Sequence, residues 1–239
     1  YHKFSGAENN DKSPEFVFFS EGGKVIYRQP ERTYKMELER DDVFAVHKGK
    51  GFIKDGTLIP TPMDFSKKNY ASLSALNQIL KRLIFPDQFT KEESFDLRTE
   101  DYEFLKNWMS RTPPEVEVPY YDRDHYYDSY CKFLMYGDLK GEMSDQIRIY
   151  NKVGLAFGTL TDVAYIKDHQ GIEFLLAATV LVNHNQIFND GEYEYDDLGI
   201  PFLGALGREV YEHETLNEGF ELPRYIHERK NLTVIKKGR

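Results

Sequence analysis

The stretch EFLLAATVLVN, residues 173–183, is apolar on both of the faces that a strand alternately presents. Such a run predicts a central strand covered on both sides, and so a sheet with packing on each face. Its longest apolar part, Phe174–Val182, falls well short of the ~18 residues a membrane span needs. Two more strand candidates precede it, at 147–151 and 154–166. The loop KDHQG, with Gly171 at its end, turns the second of these into 172–183 as a hairpin. Upstream, Leu73, Leu76, Leu80 and Leu83 recur at helical steps in 69–85, and Pro86 ends that helix. A second helix is predicted over 99–110, with Thr99 as N-cap, Glu100 and Asp101 in its first turn, and Tyr102, Leu105 and Met109 on its apolar face. Pro113-Pro114 stops it. The segment 119–137 is aromatic and charged, and its second half can be helical. A closing helix is predicted over 198–214, starting near Pro201.

The segment 1–60 is irregular and turn-rich. FVFF (16–19) and KVIYRQ (24–29) flank Glu21-Gly22-Gly23 and can form a hairpin. The run 47–62 holds glycines and prolines and reads as loop, with a turn at Asp55-Gly56. The chain lacks an initiator Met and opens on YHKFSGAENNDKSPEF without an evident first element, which reads as a processed product, a truncated chain or a fragment. The predicted organisation is an irregular part at 1–60, one domain at 61–214 and a peripheral polar tail at 215–239. The fold class is α+β, an antiparallel sheet flanked by helices.

Charge narrows the partners. The formal net charge is −9, with 31 Lys+Arg against 40 Asp+Glu. An acidic chain without a dense basic stripe is a poor nucleic-acid binder. Lys236, Lys237 and Arg239 cluster at the terminus, where they read as solvated. A single cysteine, Cys131, excludes an internal disulfide framework. No stretch reads as a signal peptide, and no cofactor motif is visible. The 17 Tyr and 17 Phe suit either half-buried core edges or a surface for peptides or sugars.

The step Lys152-Val153-Gly154 reads two ways: as the start of a strand with a solvated lysine, or as an anion-holding element. Four stretches bear on the choice. TPMDFSKKNYASL (61–73) resembles the Thr-Pro-x-x-Met stretch leading from an omega loop into a helix in the serine β-lactamase and penicillin-binding-protein superfamily, although Met63 stands one residue after the Pro. LRTEDYEFLKNWMS (97–110) resembles a later helix of that family, ending Leu-x-x-Trp-Met. NKVGLAFGTLTDVAYI (151–166) resembles its Lys-Thr/Ser-Gly strand and hairpin partner. EFLLAATVLVN with the helix after it resembles the last strand and terminal helix. The likeness runs over roughly residues 60–214 and covers the C-terminal half of that fold. More closely, the chain is similar to exported Bacteroidetes-type serine hydrolases related to class A β-lactamases.

The resemblance implies a β-lactamase/transpeptidase-like fold and acyl-enzyme hydrolysis of an amide or ester in a small molecule or peptide, without a metal or other cofactor. It also implies export to the periplasm or cell surface. By position, Lys152 is the anchoring cation, Gly154 leaves clearance for substrate backbone, and the N–H of Leu155 is the oxyanion donor, a role worth about 3–4 kcal/mol. Val153 departs from the pattern: it cannot hydrogen-bond a substrate carboxylate. The family's Ser-x-x-Lys belongs far upstream, yet the only such spacing here is Ser129-Tyr130-Cys131-Lys132, a short way before Lys152. The Ser-Asp-Asn loop is missing too, since SDQ at 144–146 lies too near Lys152.

Other groupings have plainer readings beside functional ones. Asp122, Asp124, His125 and Asp128 form a solvated acidic loop or part of a metal site. The stretch 189–197 is an acidic turn or a calcium loop, though its spacing does not fit an EF-hand. Cys131 is a buried inert thiol or a nucleophile served by His125. Glu37, Glu39 and Asp41 precede the Thr-Pro step, where some relatives keep a general base. Three functions follow: a serine hydrolase seen without its nucleophile segment, a β-lactamase-fold protein that binds a peptidoglycan fragment or a protein partner without cleaving it, and an unrelated α+β interaction module.

Overall fold

The computed structural model describes residues 12–20, 22–33, 44–66, 68, 70–141 and 143–217. They fall into two units, one drawn from 1–71 and 185–191, the other from 72–184 and 192–239.

The smaller unit begins with the anticipated hairpin. Strand β1 (Phe16–Phe19) pairs antiparallel with β2 (Val25–Gln29), Phe16 opposite Gln29 and Phe18 opposite Tyr27. Lys12–Ser13 and Arg32–Thr33 extend the ribbon as a two-residue ladder. The run 47–62, read from sequence as loop, instead holds a second hairpin: β3 (Gly51–Lys54) against β4 (Thr57–Ile59). Its turn is the expected Asp55-Gly56, with φ of 50° and 76°, the two positive values a tight hairpin turn favours. These strands are only four and three residues long, so the surrounding glycines and prolines outweighed their alternation. A two-residue strand, Ile187–Phe188, lies parallel on the other side of β3, and the rings of Phe65 and Phe188 meet edge to face at 5.0 Å.

The larger unit starts with α1 (Leu73–Ile84), where the Ser72 side chain accepts from the Ala75 N–H at 3.0 Å. Leu80 and Ile84 are buried, Leu73 and Leu76 pack beside them, and Pro86 opens a short turn after the helix. In α2 (Thr99–Ser110) the capping position is Arg98, not Thr99. The reason lies at Asp101, whose carboxylate accepts the Arg98 N–H at 3.0 Å and also holds its guanidinium. Asp101 thus satisfies the N-cap N–H from position N3, the reach-back half of a capping box.

Three long antiparallel strands follow: β5 (Ile147–Ala156), β6 (Thr159–Asp168) and β7 (Glu173–Leu181). Their order is β7-β6-β5, so the middle strand is β6, and EFLLAATVLVN is an edge strand rather than the central one. Both its faces are nonetheless covered, which accounts for its composition: Leu175 and Ala177 pack with α1 residues, and Phe174, Leu176 and Val180 pack in the opposite core. The break expected between 151 and 154 does not exist. β5 runs unbroken through Lys152-Val153-Gly154, with Gly154 opposite Thr161, and the reversal comes at Phe157-Gly158, whose φ are 53° and 74°.

Alternation along β6 sorts its side chains between two cores. Val163 and Tyr165 join Leu80 and Ile84 under the first helices. Leu160, Ala164 and Ile166 join Ile147, Ile149, Leu203 and Tyr211 on the other side, where Leu203 and Tyr211 come from α3 (Ile200–Asn217). The unit is thus helix, sheet, helix, an α+β arrangement of mixed helices and antiparallel strands. The 119–137 segment is a series of turns whose one helical piece is Phe133–Tyr136, and there Leu134 and Met135 depart from helical dihedrals, Met135 with φ 74°. The expected peripheral tail begins too early at 215, because Thr215 is fully buried within α3; residues 218–239 lie outside the described ones. Among the described residues no helix is long and apolar enough to cross a membrane.

Candidate functional site

Lys152, Gly154 and Leu155 all lie on the edge strand β5. Lys152 is exposed, and its amine donates to the Val153 carbonyl at 2.6 Å. A Cβ at Gly154 would meet only Thr161, at an ordinary 3.9 Å, so nothing among the described residues requires glycine there. Leu155 is 49% exposed.

The Ser-x-x-Lys spacing leads instead into the interior. Ser129 is 1% exposed and Lys132 2%. The Ser129 hydroxyl donates to the Leu139 carbonyl. The Lys132 amine donates to Met109 O at 2.8 Å, Ile149 O at 2.9 Å and Asn151 Oδ1 at 2.8 Å. Those contacts use all three protons an ammonium has to give. Asn151 passes the connection on, donating to Cys131 O at 2.7 Å and to Asp162 Oδ1 at 2.9 Å, while Asp162 Oδ2 accepts from the Leu134 N–H at 3.0 Å. The network ties the end of α2, the 131–134 segment, β5 and β6 into one polar knot. Asn151 and Asp162 went unnoticed in the sequence; the signal was there, as Asp162 interrupts the inward series Leu160, Ala164, Ile166.

Burial lowers the Lys132 amine from 10.5 to about 8, with Asp162 partly opposing the shift. Burial likewise raises the Asp162 carboxyl from 3.8 to about 6, opposed by the Leu134 N–H, Asn151 and Lys132. The folded state therefore holds the Asp162 proton where the unfolded state has lost it, and this contribution to stability disappears as pH rises from about 4 to about 6. Lys132 acts oppositely: its contribution is complete above 10.5 and is lost as pH falls toward 8. Urea midpoints measured across pH should fall over the first window and rise over the second, and Asp162→Asn should flatten the first. Equal acid-side slopes in the variant and the parent would contradict the assignment.

Two clefts adjoin this region. One, of about 280 Å³, is lined by Arg123, Asp124, Tyr127, Asp128, Lys140 and Gly141. The other, of about 200 Å³, shares Arg123 and Asp128 and extends over Ser110, Thr112, Met143 and Ile147. Lys152, Gly154 and Leu155 line neither.

The remaining candidates are mostly engaged elsewhere. His125 Nδ1 contacts Asp122 Oδ2, and this pairing raises the imidazole and lowers the carboxyl from their ordinary values. Among the described residues no three His, Cys, Asp or Glu side chains come together as a metal site. Cys131 is exposed rather than buried, yet the protein packed against its thiol pushes the thiol up from its usual range, the opposite of what a nucleophile needs. In the 189–197 turn, Asp190 accepts from Asn185 at 2.7 Å, and Glu194 accepts from the His184 N–H at 3.1 Å. Glu37, Glu39 and Asp41 lie outside the described residues. Comparison with protein-family models, characterised proteins and solved structures finds no match to this chain.

Proposed function

We propose that the larger unit is a binding domain of β-lactamase-like ancestry that performs no acyl transfer with its own Ser-x-x-Lys pair. Its ligand is a peptidoglycan fragment or a protein partner, met in the periplasm or at the cell surface. The observation that carries this reading is the commitment of Ser129 and Lys132. The hydroxyl is buried against Leu139 O, and the amine is saturated by three oxygens, so no base stands ready to activate that serine. The ancestry is supported by the order of elements, two helices, an antiparallel three-stranded sheet and a closing helix. Incubation with a fluorescent penicillin and with a fluorophosphonate, read by intact-protein mass spectrometry, should give no covalent adduct. An adduct on Ser129 would overturn the proposal.

A second reading keeps the hydrolase, with its serine supplied from outside the described residues. Lys152 favours it, standing exposed on an edge strand two residues before a glycine. Under this reading some other serine is acylated, and Lys152→Ala suppresses the labelling.

A further inference from the structure

The larger cleft is unusual in how its charges are arranged. Arg123 makes no hydrogen bond, ion pair or ring contact with any described residue, although it forms a wall common to both clefts. Lys140 places its amine over the Tyr127 ring at 5.9 Å and pairs with no carboxylate among the described residues. Asp128 uses one oxygen to accept the Met143 N–H at 3.2 Å. Asp124 is fixed through its backbone N–H, which donates to Asp122 Oδ1 at 3.1 Å. Two basic and two acidic residues thus line one small space without forming an ion pair with one another.

That pattern selects among ligands. A guanidinium fork matches a carboxylate or a phosphate. A phosphate drawn to Arg123 and Lys140 would also meet Asp124 and Asp128, and like charges brought together in a half-enclosed site repel. A simple cation has the reverse difficulty. A molecule carrying both signs satisfies both pairs at once. At about 280 Å³ the space is just under the range of drug-sized pockets, which suits a ligand of one or two residues. Beyond Arg123 and Asp128, the second cleft supplies Pro114, Met143 and Ile147 as an apolar lining for a side chain.

We propose that this cleft binds a small zwitterion of the amino-acid or dipeptide class. The ligand's carboxylate lies on Arg123 and its ammonium between Asp124 and Asp128. The proposal deepens the binding reading above and rests on it only for the domain's purpose, not for the site. The probe is glycyl-leucine, titrated into the full chain and followed by backbone amide NMR, alongside N-acetylglycyl-leucine and glycyl-leucinamide. The free dipeptide should shift resonances of residues 123–128 and 140–141, and blocking either end should weaken binding about tenfold or more, the scale of one charge-assisted contact. Arg123→Gln removes a side chain with no partner among the described residues, so the fold should survive. In that variant the free dipeptide and its amide should bind alike, and Asp124→Asn should do the same for the acetylated form. Equal binding of free and blocked forms, tighter binding of inorganic phosphate, or no shifts up to about 10 mM ligand would each overturn the assignment. A fluorophosphonate adduct would remove the binding-only reading and leave this site standing, whereas failure of the dipeptide would leave the labelling result intact.

Discussion

Exchanging Lys132 for methionine should lower the stability of the larger unit by about 3–5 kcal/mol, the cost of breaking a buried charge network from one side. Methionine is apolar and of similar length, so the loss comes from what remains behind. Met109 O, Ile149 O and Asn151 Oδ1 each lose a donor, and the fully buried Asp162 loses its nearby cation. Each orphaned buried acceptor costs about 1–3 kcal/mol by itself. Urea denaturation reads the effect as a lowered midpoint at unchanged slope. Ser129→Ala is the internal control: it deletes one neutral hydrogen bond and should cost only about 1 kcal/mol. Combining Lys132→Met with Asp162→Leu should cost less than the two single changes added together, since the pair is coupled. A Lys132→Met protein within about 1 kcal/mol of the parent would mean that the network adds nothing.

Tyr211→Ala should be comparably damaging, again about 3–5 kcal/mol, the usual cost of truncating a buried aromatic. Tyr211 is fully buried on α3. Its hydroxyl donates to Asp168 Oδ2, at the point where Asp168 Oδ1 gathers the N–H groups of Gln170, Gly171 and Ile172 at 2.8, 3.0 and 3.0 Å. Burial, reinforced by Asp168, pushes the phenol well above its ordinary value and keeps it a donor. Tyr211→Phe separates the two contributions. It keeps the ring and should lose about 1.5–3 kcal/mol, the range for a hydrogen bond to a charged group. Thermal unfolding of the two variants side by side gives the partition. A phenylalanine variant as unstable as the alanine variant would show that packing contributes little.

The long elements of the larger unit could be read from the sequence because each has a strong local signal. The leucine series of α1 and the two-sided apolar run of β7 are examples, and the antiparallel pairing followed from the short KDHQG loop. What failed was whatever depends on neighbours. Strand order is decided by tertiary packing, so β7 looked central while β6 is. A glycine after Lys152-Val153 resembled a boundary, but an edge strand tolerates it without breaking. The 51–59 hairpin was too short to register against its own turn residues. In the candidate site, the Ser129-Lys132 spacing was visible, and its buried, saturated state was not. Burial of Lys132 arises from Met109, Ile149 and Asn151, which lie 17–23 residues away along the chain. The paired clefts depend on turns in the 119–145 segment for which the sequence carries no periodicity.

The short parallel strand Ile187–Phe188 has a bearing on how the polypeptide can be divided. Its partner, β3, is made far earlier in synthesis, so the smaller unit is stitched closed by a detour of the chain out of the larger one and back. A ribosome that has released only the stretch up to Ala71 has not yet supplied that closing piece. A genetic cut after Ala71 therefore yields an amino-terminal product with an open sheet edge and with Phe65 deprived of its partner ring. The division that packing makes is not one that a single cut in the gene can reproduce.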